Sequence, residues 1–209
     1  PVAVMKGYVN MIEQLISQKE KAAELPLIKK VDQQINRLTG LINDLLDVTK
    51  IEAGKIEFAE EAYHFDQLVE EITESMQNVS KHPLKLTGKT GKQVIGDKDR
   101  TGQVIINFIS NAIKYTPGIS EIEVKIEAFD EDVTLQVIDQ GMGIADEDLP
   151  KIFDRFYRVR ETSGKKSSGL GLGLYICAQI IQRQKGKIWA ESDLDKGSVF
   201  SFSLPVQQK

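Results

Sequence analysis

The sequence predicts an α+β protein, with an N-terminal helical hairpin over residues 1–53 and a two-layer α/β sandwich over residues 54–209. Two observations carry this prediction. Apolar residues recur at alternating intervals of three and four through the first part, whereas the second part alternates segments of helical spacing with segments in which every other residue is apolar. With 209 residues, of which 41% are hydrophobic, the chain is long enough to bury a core.

The first part contains two helical segments joined near Pro26, because proline is best tolerated in the first turn of a helix. The apolar seam consists of Val4, Tyr8, Met11, Leu15, Ile28, Val31, Ile35, Leu38, Ile42 and Leu45, and three apolar residues beside it are Leu41, Leu46 and Ile51. A lone hairpin cannot cover this much apolar surface, so we expect a homodimer that forms a four-helix bundle. Packing of the hairpin on the second domain is the alternative.

The second part is predicted to place helices on one face of a mixed sheet. The predicted strands are 55–62, a pair within 84–95, 121–129, 133–138 and a final hairpin of 187–192 with 198–204. The predicted helices are 65–79, 97–115, a short one at 149–155 and one that begins at Gly171. Between the last two helices lies a polar loop, 159–168, of the composition and length that is typical of a lid.

Two glycine-containing motifs point to a nucleotide. GLGLGL, residues 169–174, precedes an apolar run of helical spacing, and the N–H groups that open a helix favour phosphate. VIDQGMGI, residues 137–144, ends a β-branched strand in Asp139, whose carboxylate an exocyclic amine and a water molecule would satisfy. Taken singly, each is also compatible with an ordinary glycine turn that binds nothing.

The third motif, NFISNAIKY at residues 107–115, strengthens the interpretation. Asn107 and Asn111 are four apart in a helical pattern and therefore share a face. Together with Lys114 and Tyr115 they offer oxygen ligands for a hard cation, a positive charge for phosphate and an aromatic wall. Asparagine is unfavourable inside a helix, so two merely solvated amides are the weaker alternative.

With FDRFYR at residues 153–158, these motifs resemble the N, G1, F and G2 boxes of the ATP-binding catalytic domain of sensor histidine kinases, in the same order. The resemblance covers about residues 55–205 and implies the GHKL, or Bergerat, version of the sandwich. DLLDVTKIEAGKIEF, residues 44–58, is similar to the end of the dimerisation and phosphotransfer hairpin of the same family.

The resemblance implies binding of ATP with Mg²⁺. The implied ATP-binding residues are, toward the phosphates, Asn107, Asn111, Lys114, Arg158, Gly169, Leu170, Gly171, Leu172 and Gly173, and, toward the adenine, Tyr115, Asp139, Gly141, Gly143 and Ile144. Asn111 is the implied metal ligand, Lys114 and Arg158 offset phosphate charge, and Asp139 accepts from the adenine amino group. Residues 161–168 correspond to the ATP lid, where Lys165 and Lys166 either meet the phosphates or are solvated.

The sequence departs from the family pattern at the phosphoacceptor histidine. In this family that histidine lies in an H-x-x-x-x-P motif on the first helix. The chain begins with Pro1 and VAVMKGY, similar to the residues directly after that histidine. We therefore expect a piece that starts just past the acceptor, binds ATP and cannot phosphorylate itself, so that no residue of the chain is assigned as catalytic. His64 and His82 lie at predicted element boundaries and are expected to be surface or capping residues.

The reaction type follows from one position. ATP-hydrolysing relatives such as gyrase carry a glutamate four residues before the metal-binding asparagine, where this chain has Asn107. An amide cannot accept a proton from water, so the site is suited to phosphoryl transfer to a neutral imidazole. The resemblance implies further transfer to an aspartate of a response regulator receiver domain. A GHKL-type ATPase and a degenerate kinase that serves only as a docking module are the alternatives.

Composition and charge argue against certain partners and against a membrane span. A net charge of −4 argues against nucleic acid as a partner. No apolar run approaches the length of about 18 residues that suggests a membrane span, and no signal peptide opens the sequence, so we expect a cytoplasmic location, with any membrane anchor in segments outside this sequence. Cys177, within the apolar helix after GLGLGL, is expected to be a buried thiol.

Overall fold

The computed structural model describes residues 7, 9–10, 25–54, 58–159 and 170–206. The chain divides into two compact units, Pro1–Gly54 and Lys55–Lys209. The main described element of the first unit is one long helix, α1, Leu25–Glu52. Pro26 lies in its first turn, as predicted. Most of the first helix of the predicted hairpin lies outside the described residues. None of the described helices is long and apolar enough to cross a membrane.

An apolar stripe on α1 remains open to solvent in the single chain. The large apolar side chains of this helix that are between 42% and 52% exposed are Val31, Leu38, Ile42, Leu45 and Leu46. The intervals of seven, four and three between the first four follow the seam predicted from the sequence. Within the described part of the first unit, this stripe is therefore apolar surface that a partner would have to cover.

The second unit contains three long helices and seven strands among its described residues. In chain order they are β1 Glu61–His64, α2 Phe65–Gln77, β2 Leu84–Gly88, β3 Gln93–Gly96, α3 Lys98–Tyr115, β4 Ile122–Phe129, β5 Asp132–Asp139, α4 Gly173–Arg183, β6 Lys187–Asp193 and β7 Gly197–Pro205. A single 3₁₀ turn, Leu149–Lys151, precedes α4. Asp97 caps α3 by accepting from the backbone N–H of Arg100 at 2.9 Å.

Five strands form a mixed sheet in the order β2-β4-β5-β7-β6, in which β2 and β4 are parallel and the other pairs antiparallel. The helices cover one face, because α2 and α3 both place aromatic rings on β7. Phe65 meets Phe202 edge to face at 6.2 Å between ring centroids, and Phe108 lies 5.5 Å from Phe200. The predicted two-layer sandwich is confirmed, and its core lies between these helices and the sheet.

Two details of the predicted strands are wrong. The first strand is β1, Glu61–His64, rather than 55–62, of which 55–57 lie outside the described residues. Ahead of β1, the N–H of Ala59 donates to the Asp97 carboxylate, which anchors this stretch to the cap of α3 instead of to a strand. Strands β2 and β3 do not pair with each other, because β2 pairs with β4 and β3 pairs with β1.

The predicted short helix at 149–155 is limited to the turn Leu149–Lys151. Phe156 has a φ of 63°, in the left-handed region that no helix interior adopts, and the chain therefore leaves the helical conformation here. His82 is also a correction, since its side chain is only 6% exposed and its Nδ1 lies 3.1 Å from the carbonyl oxygen of Ser120. His64 is exposed, as expected, and directly precedes α2.

Candidate functional site

The two amides of α3 face the start of α4. Asn111 Nδ2 donates to Asn107 Oδ1 at 3.0 Å, so its own Oδ1 is the oxygen that Asn111 can offer to a cation. Gly173, the first residue of α4, lies against this pair, since a Cβ at this glycine would be 2.5 Å from Asn107 Nδ2. The absence of a side chain at Gly173 therefore allows the amide pair to reach the first turn of α4.

The N-terminus of α4 is suited to bind an anion. The first N–H groups of a helix have no partners within it, and no side chain caps this one. The turn before it depends on Gly171, whose φ is +72° and whose missing Cβ would lie 2.5 Å from the Tyr157 carbonyl oxygen. The N–H of Phe156 donates to the Gly171 carbonyl at 2.9 Å. The FDRFYR segment thus supports the glycine turn.

The other residues predicted near this turn differ in how exposed their side chains are. Arg158 is exposed, and its Cγ lies 3.1 Å from the position that a Cβ on Gly171 would occupy. Leu172 is only 1% exposed, so its side chain belongs to the core and only its backbone is available to a ligand. Leu170 is exposed. Gly169 and the predicted lid, residues 161–168, lie outside the described residues.

Asp139 ends β5 as a buried carboxylate, with the residue only 5% exposed. Burial raises the pKa of Asp139, while the backbone N–H groups of Gly141 and Ser198 lower it in part. The Gly141 N–H donates to Asp139 Oδ1 at 2.7 Å, which holds the carboxylate against the loop that follows the strand. Asp139 therefore presents a fixed hydrogen-bond acceptor in a poorly solvated place, as recognition of an exocyclic amine requires.

The end of α3 contacts the same loop. The N–H of Met142 donates to the Tyr115 carbonyl oxygen at 3.3 Å. Lys114 Nζ donates to the Tyr115 hydroxyl at 2.8 Å and lies 4.4 Å from the centre of its ring. The backbone of the loop that follows β5 is therefore tied directly to the C-terminus of the helix that carries the two asparagines.

The hairpin of β6 and β7 also shapes the site, and this was not predicted from the sequence. The N–H of Ile144 donates to Ser192 Oγ at 2.8 Å. Gly143 has a φ of +67°, and a Cβ there would lie 2.0 Å from the carbonyl oxygen of Asp193. Ser198, whose N–H donates to Asp139, lies opposite that residue in the β5–β7 ladder. The only signal in the sequence is a pair of serines that flank a short hairpin turn.

Contacts link the predicted residues in two groups. Asn107, Asn111 and Gly173 form one group, and Tyr115, Asp139 and Gly141 form the other; α3 belongs to both. Among residues 25–54, 58–159 and 170–206, no cluster of three or more His, Cys, Asp or Glu side chains could hold a metal ion. One amide oxygen fits Mg²⁺ all the same, because Mg²⁺ at nucleotide sites takes few protein ligands and completes its shell with phosphate and water oxygens.

Two families match the chain in consecutive segments. The family described as histidine kinase-, DNA gyrase B-, and HSP90-like ATPase matches residues 96–208. The His Kinase A (phospho-acceptor) domain matches residues 1–54. Every predicted site residue from Asn107 to Gly173 falls within the first match.

Several curated proteins are similar to this chain over nearly its whole length. The sensor protein KdpD of Clostridium acetobutylicum is 35% identical over an alignment of 220 residues, which covers 99% of this chain and 23% of KdpD. The sensor histidine kinase WalK of Bacillus subtilis is 30% identical, over 100% of this chain and 35% of WalK. The sensor protein SrrB of Staphylococcus aureus is 31% identical, over 98% of this chain and 36% of SrrB. The chain thus spans about a quarter to a third of the length of these relatives.

Solved structures share the fold. The catalytic domain of histidine kinase ThkA aligns with 72% of this chain and 96% of its own, with a TM-score of 0.58 and 31% identity. The histidine kinase AdeS of Acinetobacter baumannii aligns with 100% of this chain and 96% of its own, with a TM-score of 0.69 and 24% identity. The second likeness extends the shared architecture to both units of the chain.

Proposed function

The chain belongs to the family of histidine kinase-, DNA gyrase B- and HSP90-like ATPases, as a sensor histidine kinase core, and on this premise we propose how it works. The second unit binds ATP with Mg²⁺ and donates the γ-phosphoryl group to a histidine. From there the group passes to an aspartate of a response regulator receiver domain. Its two units are a phosphotransfer and dimerisation domain, residues 1–53, and an ATP-binding catalytic domain, residues 54–209.

The contact between the α3 amides and the uncapped start of α4 carries this proposal. Asn111 Oδ1 holds Mg²⁺, and the N–H groups from Gly171 to the first turn of α4 bind phosphate. The bound ion would neutralise charge on the phosphate oxygens. At the C-terminal end of α3, Asp139 accepts from the purine amino group, while Tyr115 and Ile144 line the ring. Lys114 and Arg158 add positive charge, and the backbone from Gly169 to Gly173 follows the phosphates.

Asn107 decides between transfer and hydrolysis. Its Oδ1 accepts from Asn111 and its Nδ2 lies against Gly173, so the side chain organises the site and cannot take a proton from water. A neutral imidazole needs no such base, because its ring nitrogen already carries the attacking lone pair. The site therefore favours transfer to histidine over hydrolysis of ATP.

The first unit supplies the partner surface. Its exposed apolar stripe, from Val31 to Leu46 on α1, pairs with the same stripe of a second chain in a two-fold four-helix bundle. In this arrangement the bundle presents the neutral acceptor histidine for transfer from ATP, and then the phosphohistidine to the receiver domain. Nucleic acid is not among the proposed partners, since the chain carries a net charge of −4.

Calorimetric titration with the ATP analogue AMPPNP, with and without Mg²⁺, tests the site. We expect Mg²⁺-dependent binding, which Asn111→Ala and Asp139→Ala each weaken by about tenfold or more, because each removes a hydrogen-bonding or metal-ligating group from a poorly solvated place. Asn43→Ala, at an exposed amide of α1, is the matched control and leaves binding unchanged. Binding that neither site substitution affects would contradict the assignment.

The reaction is tested separately with γ-labelled ATP and this chain extended at its N-terminus to include an acceptor histidine. We expect an acid-labile, base-stable phosphoryl bond on that histidine. Sustained phosphate release in the absence of any acceptor would instead assign an ATPase. Tight binding of the analogue with neither transfer nor release would assign a docking module.

A further inference from the structure

The hydroxyl of Ser192 lies at the junction of three backbone segments. It accepts from the N–H of Ile144 at 2.8 Å and donates to the carbonyl of Gly197 at 2.7 Å. A third contact, of 3.0 Å, joins it to Ser198 Oγ. Since its one proton goes to Gly197, the Ser198 hydroxyl is the donor in that pair, and Ser192 uses one donor and two acceptor positions.

These contacts tie together both sides of the proposed purine pocket. Ile144 belongs to the glycine loop, defined here as residues 140–144, whereas Ser198 is the residue whose backbone N–H donates to the Asp139 carboxylate. The Ser192 hydroxyl therefore fixes the distance between the loop backbone and the strand that supports the carboxylate. The Asp139 carboxylate makes a second connection of this kind, because it accepts from the N–H groups of both Gly141 and Ser198.

The end of β6 and the turn that follows it, residues 194–196, hold the glycine loop at two further points. The N–H of Asp195 donates to the Met142 carbonyl at 2.8 Å. The backbone of Gly143 fits so closely against Asp193 that a Cβ would lie 2.0 Å from its carbonyl oxygen. The loop is thus shaped by the hairpin beside it as well as by its own glycines.

We propose that Ser192 is a positioning residue for purine recognition, which holds the glycine loop and the strand beneath Asp139 in the arrangement that reads the base. This inference rests on the proposed function and deepens it, because it adds a determinant of base affinity and selectivity outside the predicted motifs. Ser192 acts through Ile144 and Ser198 and does not itself touch the nucleotide. Its hydroxyl has no contact with the phosphate-side residues Asn107 or Gly173 among the described hydrogen bonds.

Ser192→Ala is the test, with Ser192→Thr as the conservative variant that restores the hydroxyl. We expect Ser192→Ala to bind AMPPNP about five- to tenfold more weakly, the loss typical of one partly buried hydrogen bond whose partner is left unsatisfied, and to discriminate less between AMPPNP and GMPPNP. Hydrogen exchange at the Ile144 amide should become faster. Lys196→Ala, which removes only an exposed ion pair with Asp193 in the same turn, is the control and leaves all three measurements unchanged.

The outcomes separate this inference from the proposed function. If the unsubstituted chain fails to bind AMPPNP, the proposed function fails. If the unsubstituted chain binds and Ser192→Ala matches it in affinity and base selectivity, only the inference fails. Should Ser192→Ala not fold, Ser192→Cys keeps the volume with a weaker acceptor, and we expect it to lower affinity and selectivity in the same direction. Unchanged binding by that variant would equally overturn the inference.

Discussion

The buried carboxylate of Asp139, which is proposed to bind the base, lowers the stability of the folded chain when it is ionised. Burial raises the pKa of this carboxyl from its ordinary value of 3.8, and the N–H groups of Gly141 and Ser198 offset part of the rise. The folded chain therefore holds the proton more tightly than the unfolded chain. The stabilising contribution of Asp139 is complete below pH 3.8 and is lost as the pH rises through the raised pKa.

Urea unfolding of the chain and of Asp139→Asn between about pH 3.5 and 7 tests this sign. We expect the free energy of unfolding of the original chain to fall relative to that of the variant as the pH rises, because only the original chain must ionise a buried carboxyl. Gln140→Ala, an exposed and non-ionisable neighbour, is the control and keeps the original pH dependence. A difference between the chain and Asp139→Asn that is constant with pH, or that rises with pH, would contradict the assignment.

The residues that the sequence identified differ in kind from those it missed. Asn107, Asn111 and Asp139 were found because each belongs to a local pattern, an amide pair at helical spacing or an acid before a glycine turn. Ser192 was missed because its partner Ile144 is 48 positions away and is brought near by strand register alone. A single serine carries no periodic signal, so only the folded hairpin shows which backbone groups it satisfies.

The same distinction holds for whole elements. Both bounds of α3 and the start of α4 could be predicted to within two residues, because caps, glycines and apolar spacing are local features. The pairing of β2 with β4 was not, because β2 alone is equally compatible with a hairpin to β3. Strand pairing depends on which apolar faces the helices cover, and this is decided only once α2 and α3 dock on the sheet.

Gln184, which follows the last residue of α4, joins the far ends of the two site helices. Its Oε1 accepts from the N–H of Asp97, the cap of α3, at 2.9 Å, and its Nε2 donates to Thr101 Oγ1 at 3.2 Å. Tyr63, whose pKa burial raises to about 12, donates its hydroxyl to the same Thr101 at 2.9 Å. The network therefore fixes the start of α3 against the end of α4.

Gln184→Ala would leave the Asp97 N–H and the Thr101 hydroxyl without this partner in a buried place. We expect a loss of about 2 kcal/mol in the free energy of unfolding, measured with urea, because unsatisfied buried groups cost more than the average hydrogen bond contributes. Gln182→Ala, an exposed glutamine of the same helix, should change stability by less than about 0.5 kcal/mol. Equal losses for the two variants would show that the network contributes nothing specific.

At the scale of the molecule, the proposed site exists only when the sheet domain is assembled. The Asn107 amide and Gly173 belong to different helices, and the glycine loop reaches its shape only against the β6–β7 hairpin. Local unfolding of either part would therefore remove affinity for nucleotide. Conversely, a bound nucleotide would stabilise the whole second unit by mass action, in proportion to the logarithm of its concentration over its dissociation constant.

Association of two chains through the exposed stripe of α1 can be tested by placing charges on it. A glutamate at Leu38 and another at Leu45 would place like charges across a two-fold interface, with no opposite charge to compensate them. We expect sedimentation velocity to show a dimer for the original chain and a monomer for the double variant Leu38→Glu, Leu45→Glu. Because these residues lie in the first unit, the thermal unfolding of the sheet domain should be unchanged. Asn43→Glu, at an exposed polar position of α1, is the matched control and should remain dimeric. A monomeric original chain at tens of micromolar, or a double variant that still dimerises, would show that the stripe is covered in some other way.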